Sequence, residues 1–573
     1  MSSLFLPRKK TVITTRFWHV FKASMFSMLS AYLLILTDNI TAGHLVGEQA
    51  VMGVTLVFPL VTFIIFMSYI IADGLAMKLS YAQGRGDRQQ VDRLFSMGII
   101  LACAVGIVFT GGMYFFRETI LSFWQISPQL LDYARDYYEG LYLYAPFTFV
   151  NVFLYTVFVA EGQAQVCVQG AVCTFVVNFI LDILLCIKIG VIGVGIATTC
   201  GLAVAVLVQI YHLRGSRSRL HFSWYWNIKE VLGGIWYSCY HSLDTLLLAL
   251  LPVALTSCVL TRFGEEHIIV VTVVVNLLTL IIALYTGIVD CLQPMVCQYH
   301  AEQNLHSIQK TMGIGIKTTV GISLLITLLA MVLAEVLPLV FGVKDAAMIH
   351  ETGAAIRCFL LFTVFLGSTL MYSNYYIYIE KRNYGAFVKI MLLLGLPYIG
   401  MECGAAYSFY GLWLGTGAAF LAAFVLNYLL AGRQGWLFLD KAQFSRQYSY
   451  DINSVKEEVM GTVRQMEEVL TARNIPSFRR MLLMLCVEEI GLHAAERAAG
   501  KNFQLEISLL LGREVTDKIT LIVRDNGQPY DILKAVQEGR YSFREYFIDS
   551  VTTRLSYCRY LASGDENRLT LEI

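Results

Sequence analysis

The stretch NFILDILLCIKIGVIGVGIATTCG, Asn178 to Gly201, decides how this chain is read. It is apolar enough to dissolve in lipid, yet it places Asn178 and Asp182 four residues apart and Thr198 and Thr199 on the next apolar run. A backbone surrounded by lipid must satisfy its own hydrogen bonds, which makes these runs helices. The i, i+4 spacing then puts Asn178 and Asp182 on one helix face. Polar groups at such depth are costly against lipid, so that face turns to a cavity or to other polar groups.

The same character extends outward. Apolar runs recur from about Phe17 to Leu430, many of them reaching the ~20 residues that cross a bilayer. They number about twelve. Of the 573 residues, 57% are hydrophobic and 15% charged, whereas a soluble protein carries about a quarter charged residues. The chain therefore reads as a polytopic α-helical membrane protein. The thirteen cysteines are scattered, mostly in apolar helices and without a CxxC pair. They read as small hydrophobes rather than as metal ligands or disulfides.

The net charge of +1 is uninformative, but the cations are unevenly spread. Arg8, Lys9, Lys10 and Arg16 precede the first helix, and Lys78, Arg85, Arg88 and Arg93 follow the second. Arg214, Arg217 and Arg219 follow the sixth; Lys381, Arg382 and Lys389 fall between the tenth and eleventh. The intervening loops HLVGEQ and RFGEEH are poorer in cations, so both termini are expected in the cytoplasm. The first helix shows no small-residue cleavage site and reads as retained. The expected location is the plasma membrane.

The membrane part repeats. GEQAVMGVTLV at Gly47 matches GEEHIIVVTVV at Gly264, an offset of 217 that also carries Asp73 onto Asp290. The loop YAQGRGDRQQVDR falls on QYHAEQNLHSIQK, and the fourth and tenth helices end at Glu161 and Glu380. About six helices per repeat gives two lobes of like orientation, with a substrate site expected between them near the midplane. After Leu430 the composition changes: residues 450–573 combine amphipathic helices with the strands FQLEISLLL, KITLIVRDN and NRLTLEI. The expected fold is thus two pseudo-repeated six-helix lobes plus a C-terminal cytoplasmic α/β sandwich. Its divisions are an N-terminal segment 1–16, an N-lobe 17–219, a C-lobe 220–434, a linker 435–449 and the domain 450–573.

Asp38 lies near the outer end of the first helix, in LLILTDNITAGHLVG. An acid there, with Asn178, Asp182 and Thr198, would offer hard oxygen ligands to a proton or Na+. Either acid also fits a residue reaching interfacial water. The 217 offset carries Asp38 onto Leu255, so this acid belongs to one lobe only. Asp73 with Asp290, and Glu161 with Glu380, occur in both and read as structural or gating positions; Asp244 is a further candidate. Tyr142, Tyr144, Phe147 and Tyr155 are candidate cavity liners by cation–π contact.

With these motifs in order, the region from about Phe17 to Leu430 resembles the multidrug and toxic compound extrusion (MATE) family. LTDNITAGHLVGEQAV, YAQGRGDRQQVDR, NFILDILLCIKIGVIGVGIATT and GIVDCLQPMVCQYHAEQN are similar to its first-helix, loop, fifth-to-sixth-helix and eighth-helix segments. The resemblance implies export of small organic cations or amphiphiles by H+ or Na+ antiport. It also implies a coupling site at Asp38, Asn178, Asp182 and Thr198, and no nucleic acid partner. The C-lobe carboxylates of another branch have no clear counterpart here. The competing readings are a lipid or oligosaccharide flippase, which would favour cations in its cavity, and a transporter-derived receptor.

In the C-terminal part, VRDNGQPYD resembles the adenine-reading box of the gyrase/histidine-kinase ATPases, closest to the anti-sigma-factor-kinase branch. Asp525, Gly527 and Asp531 match it. Glu489 and His493 occupy the place of a Glu-x-x-x-Asn box, where imidazole poorly replaces the oxygen ligand that Mg2+ prefers. The glycine-rich lid is missing. ATP with Mg2+ is therefore doubtful as a cofactor, and no cofactor is required. Residues 450–573 are expected to be an inactive regulatory module with a cytoplasmic protein partner, and no enzyme activity is expected. DNG-x-P also fits an ordinary turn.

Overall fold

The computed structural model of the protein describes residues 11–122, 128–214, 220–264, 267–340, 345–432, 435, 437–453, 456–497, 503–514, 517–539, 543–560 and 566–573. The N-lobe comprises α1 (Val12–Leu45), α2 (Glu48–Arg85), α3 (Arg88–Phe115), α4 (Pro128–Gly140), α5 (Tyr144–Ala160), α6 (Ala164–Ile189) and α7 (Val191–Arg214). The C-lobe comprises α8 (Ile228–His241), α9 (Leu243–Arg262), α10 (Ile268–Ala301), α11 (Leu305–Leu333), α12 (Ala346–Leu360), α13 (Thr363–Tyr378), α14 (Arg382–Ala405) and α15 (Phe409–Ala431). Among the described residues, eight helices are long and apolar enough to cross a membrane. They become ten when α4–α5, bent by 52°, and α12–α13, bent by 44°, each count as one span. The helix α1 and the pair α8–α9 stand where the first and seventh of the expected twelve spans belong.

The repeat is visible in the backbone. Gly47 (φ 126°) precedes α2, and Gly264 (φ 99°) precedes α10. At the other ends, Gly86 (φ 73°) and Gln303 (φ 58°) make the same left-handed turn, 217 positions apart. The next residues, Asp87 and Asn304, cap α3 and α11 by accepting from the N–H groups of Gln90 and Ser307. These turns correct two expectations. The polar stretch after the second helix is a loop only at Gly86–Asp87, because α2 runs on to Arg85 and α3 starts at Arg88. Likewise α1 begins at Val12, inside the segment 1–16 expected to precede it. Arg16 is therefore a helical residue, and it is buried.

The two lobes meet along α1, α2, α8 and α10, at the ends nearest the C-terminal domain. A Cβ on Gly74 would fall 1.9 Å from the Gly234 carbonyl oxygen, so the backbones of α2 and α8 touch there. Cys291 donates to the Phe17 carbonyl, and Arg16 donates to Gln298 Oε1 at 2.7 Å. The lobes are closed on this side.

The C-terminal domain carries β1 (Gln447–Ile452), α16 (Lys456–Ala472), α17 (Ser477–Arg497), β2 (Leu505–Leu510), β3 (Thr520–Asp525), α18 (Ile532–Gln537), α19 (Phe543–Val551), β4 (Arg554–Tyr560) and β5 (Glu566–Glu572). Its antiparallel sheet has the order β1-β2-β3-β5-β4. Three strands were expected and five are present. The first begins at Gln447, inside the expected linker 435–449, and the linker itself packs on the C-lobe through Leu437 and Phe438. Period-2 alternation sends Ile507, Leu509, Val523 and Leu569 into a core shared with Val463, Met466 and Leu483 of the helices. The opposite face presents Glu506, Arg524 and Arg568, all buried.

That charged face lies on the membrane part. Arg524 pairs with Glu302, in the turn between α10 and α11, and with Glu506 at 3.1 Å. Arg568 holds the other oxygen of Glu302 at 2.6 Å, and Arg16 of α1 reaches Glu566 at 4.0 Å. Lys310 of α11 bonds Asp451 at 2.8 Å. On the N-lobe side, Thr15 donates to Gln504, Arg88 donates to the Tyr557 carbonyl, and Arg554 donates to the Arg85 carbonyl. One sheet face thus grips both lobes where they close.

Candidate cation site and central cavity

The α6–α7 hairpin is tight because Gly190 turns the chain with φ 69°. Close approach of its neighbours needs two more glycines. A Cβ on Gly195 would lie 2.7 Å from the Tyr137 carbonyl oxygen of α4, and one on Gly201 would lie 3.0 Å from that of Thr174 in α6. Packed this closely, α1, α4, α6 and α7 deliver their polar groups to one point. Thr198 donates to Asp38 Oδ2 at 2.9 Å, and Tyr137 donates to the same oxygen at 3.2 Å. Asn178 Nδ2 lies 3.4 Å from Asp38 Oδ1 and 3.5 Å from Asp182 Oδ1. Turning its amide over gives a 3.1 Å bond to Asp182 and lets its oxygen accept from Thr198 at 3.2 Å. The carboxyls of Asp38 and Asp182 lie within hydrogen-bonding reach of each other. All four residues singled out in the sequence are brought together and buried.

Tyr137 is a fifth member that sequence reasoning missed. It sits in DYARDYYEG, where the density of charge suggests a solvated surface. A tyrosine spaced i, i+4 from Tyr133 and Leu141 was the available signal.

The cluster opens on a cavity of about 470 Å³ lined chiefly by the N-lobe, with Asn276 reaching in from α10. Asp38 and Thr198 stand on its wall, while Asn178 and Asp182 lie behind them. The candidate liners Tyr144 and Tyr155 are on the wall too, with Tyr69 and Tyr137. Among the described lining residues, Asp38 is the one acid and there is no Lys or Arg.

The remaining singled-out residues lie elsewhere. Asp73, Asp244 and Asp290 gather at the seam between the lobes. Glu161 accepts from Gln83, and Glu380 accepts from Tyr237 at 3.1 Å, each at the domain-facing end of its helix. Lys389, expected in a loop, is instead fully buried in α14, 3.2 Å from Asp244.

The residues of the nucleotide box are engaged with protein partners. Asp525 Oδ1 already accepts from Gly527 N at 2.8 Å and from Asn567 Nδ2 at 2.9 Å, and Arg497 stands 3.6 Å from its other oxygen. His493 packs edge-on against Tyr530, and Asp531 caps α18 and faces Arg88 at 3.7 Å. The cavity between Glu489, His493 and Asp525 is about 20 Å³, the space of one water.

The sequence matches the MatE family over residues 23–184 and 242–399. A MATE protein crystallised in complex with MaL6 has TM-score 0.69 at 19% identity, over 74% of this chain and 96% of that one. An outward-facing multidrug resistance MATE transporter of the MOP superfamily has TM-score 0.69 at 19% identity, over 75% and 97%. A MOP superfamily transporter from Pyrococcus furiosus, for which a binding pocket of reverse polarity suggests a different function, has TM-score 0.69 at 20% identity, over 74% and 96%. No curated protein matches the sequence.

Proposed function

The chain belongs to the MatE family of transporters, and from that premise we propose that it exports small organic cations or amphiphiles by antiport against H+ or Na+, regulated by its C-terminal domain. The observation that carries this reading is the Asp38–Asp182 pair at the edge of the cavity. Two neighbouring buried carboxyls do not readily both stay ionised without a compensating charge; a shared proton or cation supplies it. Asp38 is also the one acid among the described wall residues, so an organic cation held by the tyrosines competes with the ion for the same charge. Mutual exclusion at one acid supports exchange, because each occupant favours a different packing of the lobes. A wall whose described residues include no Lys or Arg suits a cationic substrate better than the anionic headgroup of a flippase substrate. The test is efflux of a fluorescent organic cation from proteoliposomes under an imposed H+ or Na+ gradient. Efflux indifferent to both gradients would overturn antiport.

In this reading the C-terminal domain works as a clamp, since opening the lobes on its side must break its grip on one of them. Burial pushes the Glu566 carboxyl up to about 7, Arg16 and Arg524 opposing it. The docked state therefore favours the protonated acid. Its contribution is complete below the ordinary value of 4.5 and is lost as pH rises through about 7. Raising pH from about 4.5 to above 7 is expected to loosen docking, read as a smaller protection factor in the turn 302–304 once the base-catalysed rise of the intrinsic exchange rate is divided out. Glu566→Gln should flatten that dependence; an unchanged profile would remove Glu566 from the device.

No nucleotide enters the reading. Titration of the full-length protein with ATP and Mg2+ is expected to show no saturable binding, because Asp525 is committed to Gly527 and Asn567. Saturable binding would restore the ATPase-like role.

A further inference from the structure

The seam between the lobes buries a second titratable cluster, distinct from the Asp38 site. Asp73 of α2 stands 2.9 Å from Nδ1 of His241, at the end of α8. His241 Nε2 is 3.0 Å from the Tyr378 hydroxyl of α13, which donates onward to the Val289 carbonyl. The His241 ring thus bridges Asp73 and Tyr378 across the seam. Lys389 of α14 neutralises Asp244 of α9 at 3.2 Å and also donates to the His241 carbonyl. Each of these two acids thus has a basic side chain beside it.

Asp290 of α10 is the third acid, and among the described residues no cation is paired with it. Its Oδ2 is enclosed and accepts no hydrogen bond. The groups around it are Asp73 and Tyr69 from α2, Tyr155 from α5, Asp244 from α9, Cys291 on its own helix and Tyr378 from α13. None of them brings a positive charge. Asp290 and Asp73, the repeat-related pair, line one cavity of about 10 Å³ between α2, α5 and α10. That is room for about one water and not for a hydrated cation.

We propose that Asp290, facing Asp73 across the seam, is a second proton-binding site of this protein, carrying one proton while the lobes are closed and releasing it when they part. A bare carboxylate enclosed beside another carboxylate carries a desolvation cost that the neighbouring Tyr155 hydroxyl offsets only in part, and a proton on Asp290 removes it. The cavity walls come from both lobes, so separating them lets water in, and the hydrated acid ionises. Closing the domain side of the transporter and taking up a proton are then one event, and the site needs no contact with the substrate.

The test is infrared difference spectroscopy of the full-length protein in lipid nanodiscs, alkaline against neutral, in the C=O stretch of protonated carboxyl groups. The expected result is a band at neutral pH that is lost on alkalinisation. One component of it should be missing in Asp290→Asn and retained in both Asp38→Asn and Glu566→Gln, which separates this site from the proposed coupling site and from the docking acid. Asp73→Asn keeps the acid but removes the facing charge, so loss of the band should move to lower pH. A full band in Asp290→Asn, or an unmoved transition in Asp73→Asn, would overturn the proposal.

Discussion

Asp182→Asn is expected to abolish gradient-driven efflux of an organic cation from proteoliposomes, leaving the leak of protein-free vesicles. The side chain is fully buried behind the cavity wall, so it does not touch the cargo. Its proposed part is to share a proton or Na+ with Asp38 through a cluster that Asn178 and Thr198 complete. Asparagine keeps the shape and removes the charge, so the ion loses half its counter-charge while the fold is retained. Thr198→Val deletes one hydrogen bond to a carboxylate, worth about 1.5–3 kcal/mol. That corresponds to roughly a ten- to hundredfold loss of ion affinity. The pattern to look for is therefore graded, with Asp182→Asn silent and Thr198→Val rescued by a steeper gradient. Full efflux by folded Asp182→Asn would place coupling outside the N-lobe.

The second large effect concerns Arg524. It is fully buried, with its guanidinium on Glu302 and Glu506 and stacked 4.7 Å over the Tyr299 ring. Arg524→Ala leaves two buried carboxylates without their main partner, a change that costs about 3–5 kcal/mol. Docking should weaken by roughly a hundredfold or more. The readout is hydrogen exchange in the turn 302–304 and the start of α11, which the sheet covers. Arg524→Met combined with Glu506→Gln removes the pair within the domain, while Glu302 keeps Arg568 at 2.6 Å. This double variant should restore much of the protection, because the cost lies in the orphaned charges. If Arg524→Ala leaves exchange unchanged, the sheet face is a resting place and not a clamp.

Much of this architecture was legible in the sequence for identifiable reasons. Apolar length gave the spans, and the 217-residue offset gave lobes whose turn geometry repeats at Gly86 and Gln303. The four residues of the buried polar cluster were legible because polar side chains in an apolar helix have few neutral explanations. Strands β2, β3 and β5 announced themselves by alternation. In contrast, β1 hides in linker-like composition, and β4 follows a helical pattern with no turn signal between. Lys389 follows EKRNYGAF, whose polarity suggests a loop, although the chain there is helix. The charged sheet face was invisible for a deeper reason. Alternation shows that Glu506, Arg524 and Arg568 share a face, but nothing local shows that the face meets protein and not water.

Arg16 and Glu566 are separated by 550 positions of chain, and the contact between them bears on how the protein is made. At a synthesis rate of about 5–20 residues per second, the arginine emerges roughly half a minute to two minutes before its partner exists. Through that interval the first helix enters the bilayer with its cation turned to water or lipid headgroups. Of the described strands, β5 leaves the ribosome after the others, and it brings Glu566 and Arg568 to the seam. A ribosome that stops early therefore leaves a set of helices whose closure is not yet sealed, and such truncated chains are expected to be cleared by quality-control proteases more rapidly than the finished protein.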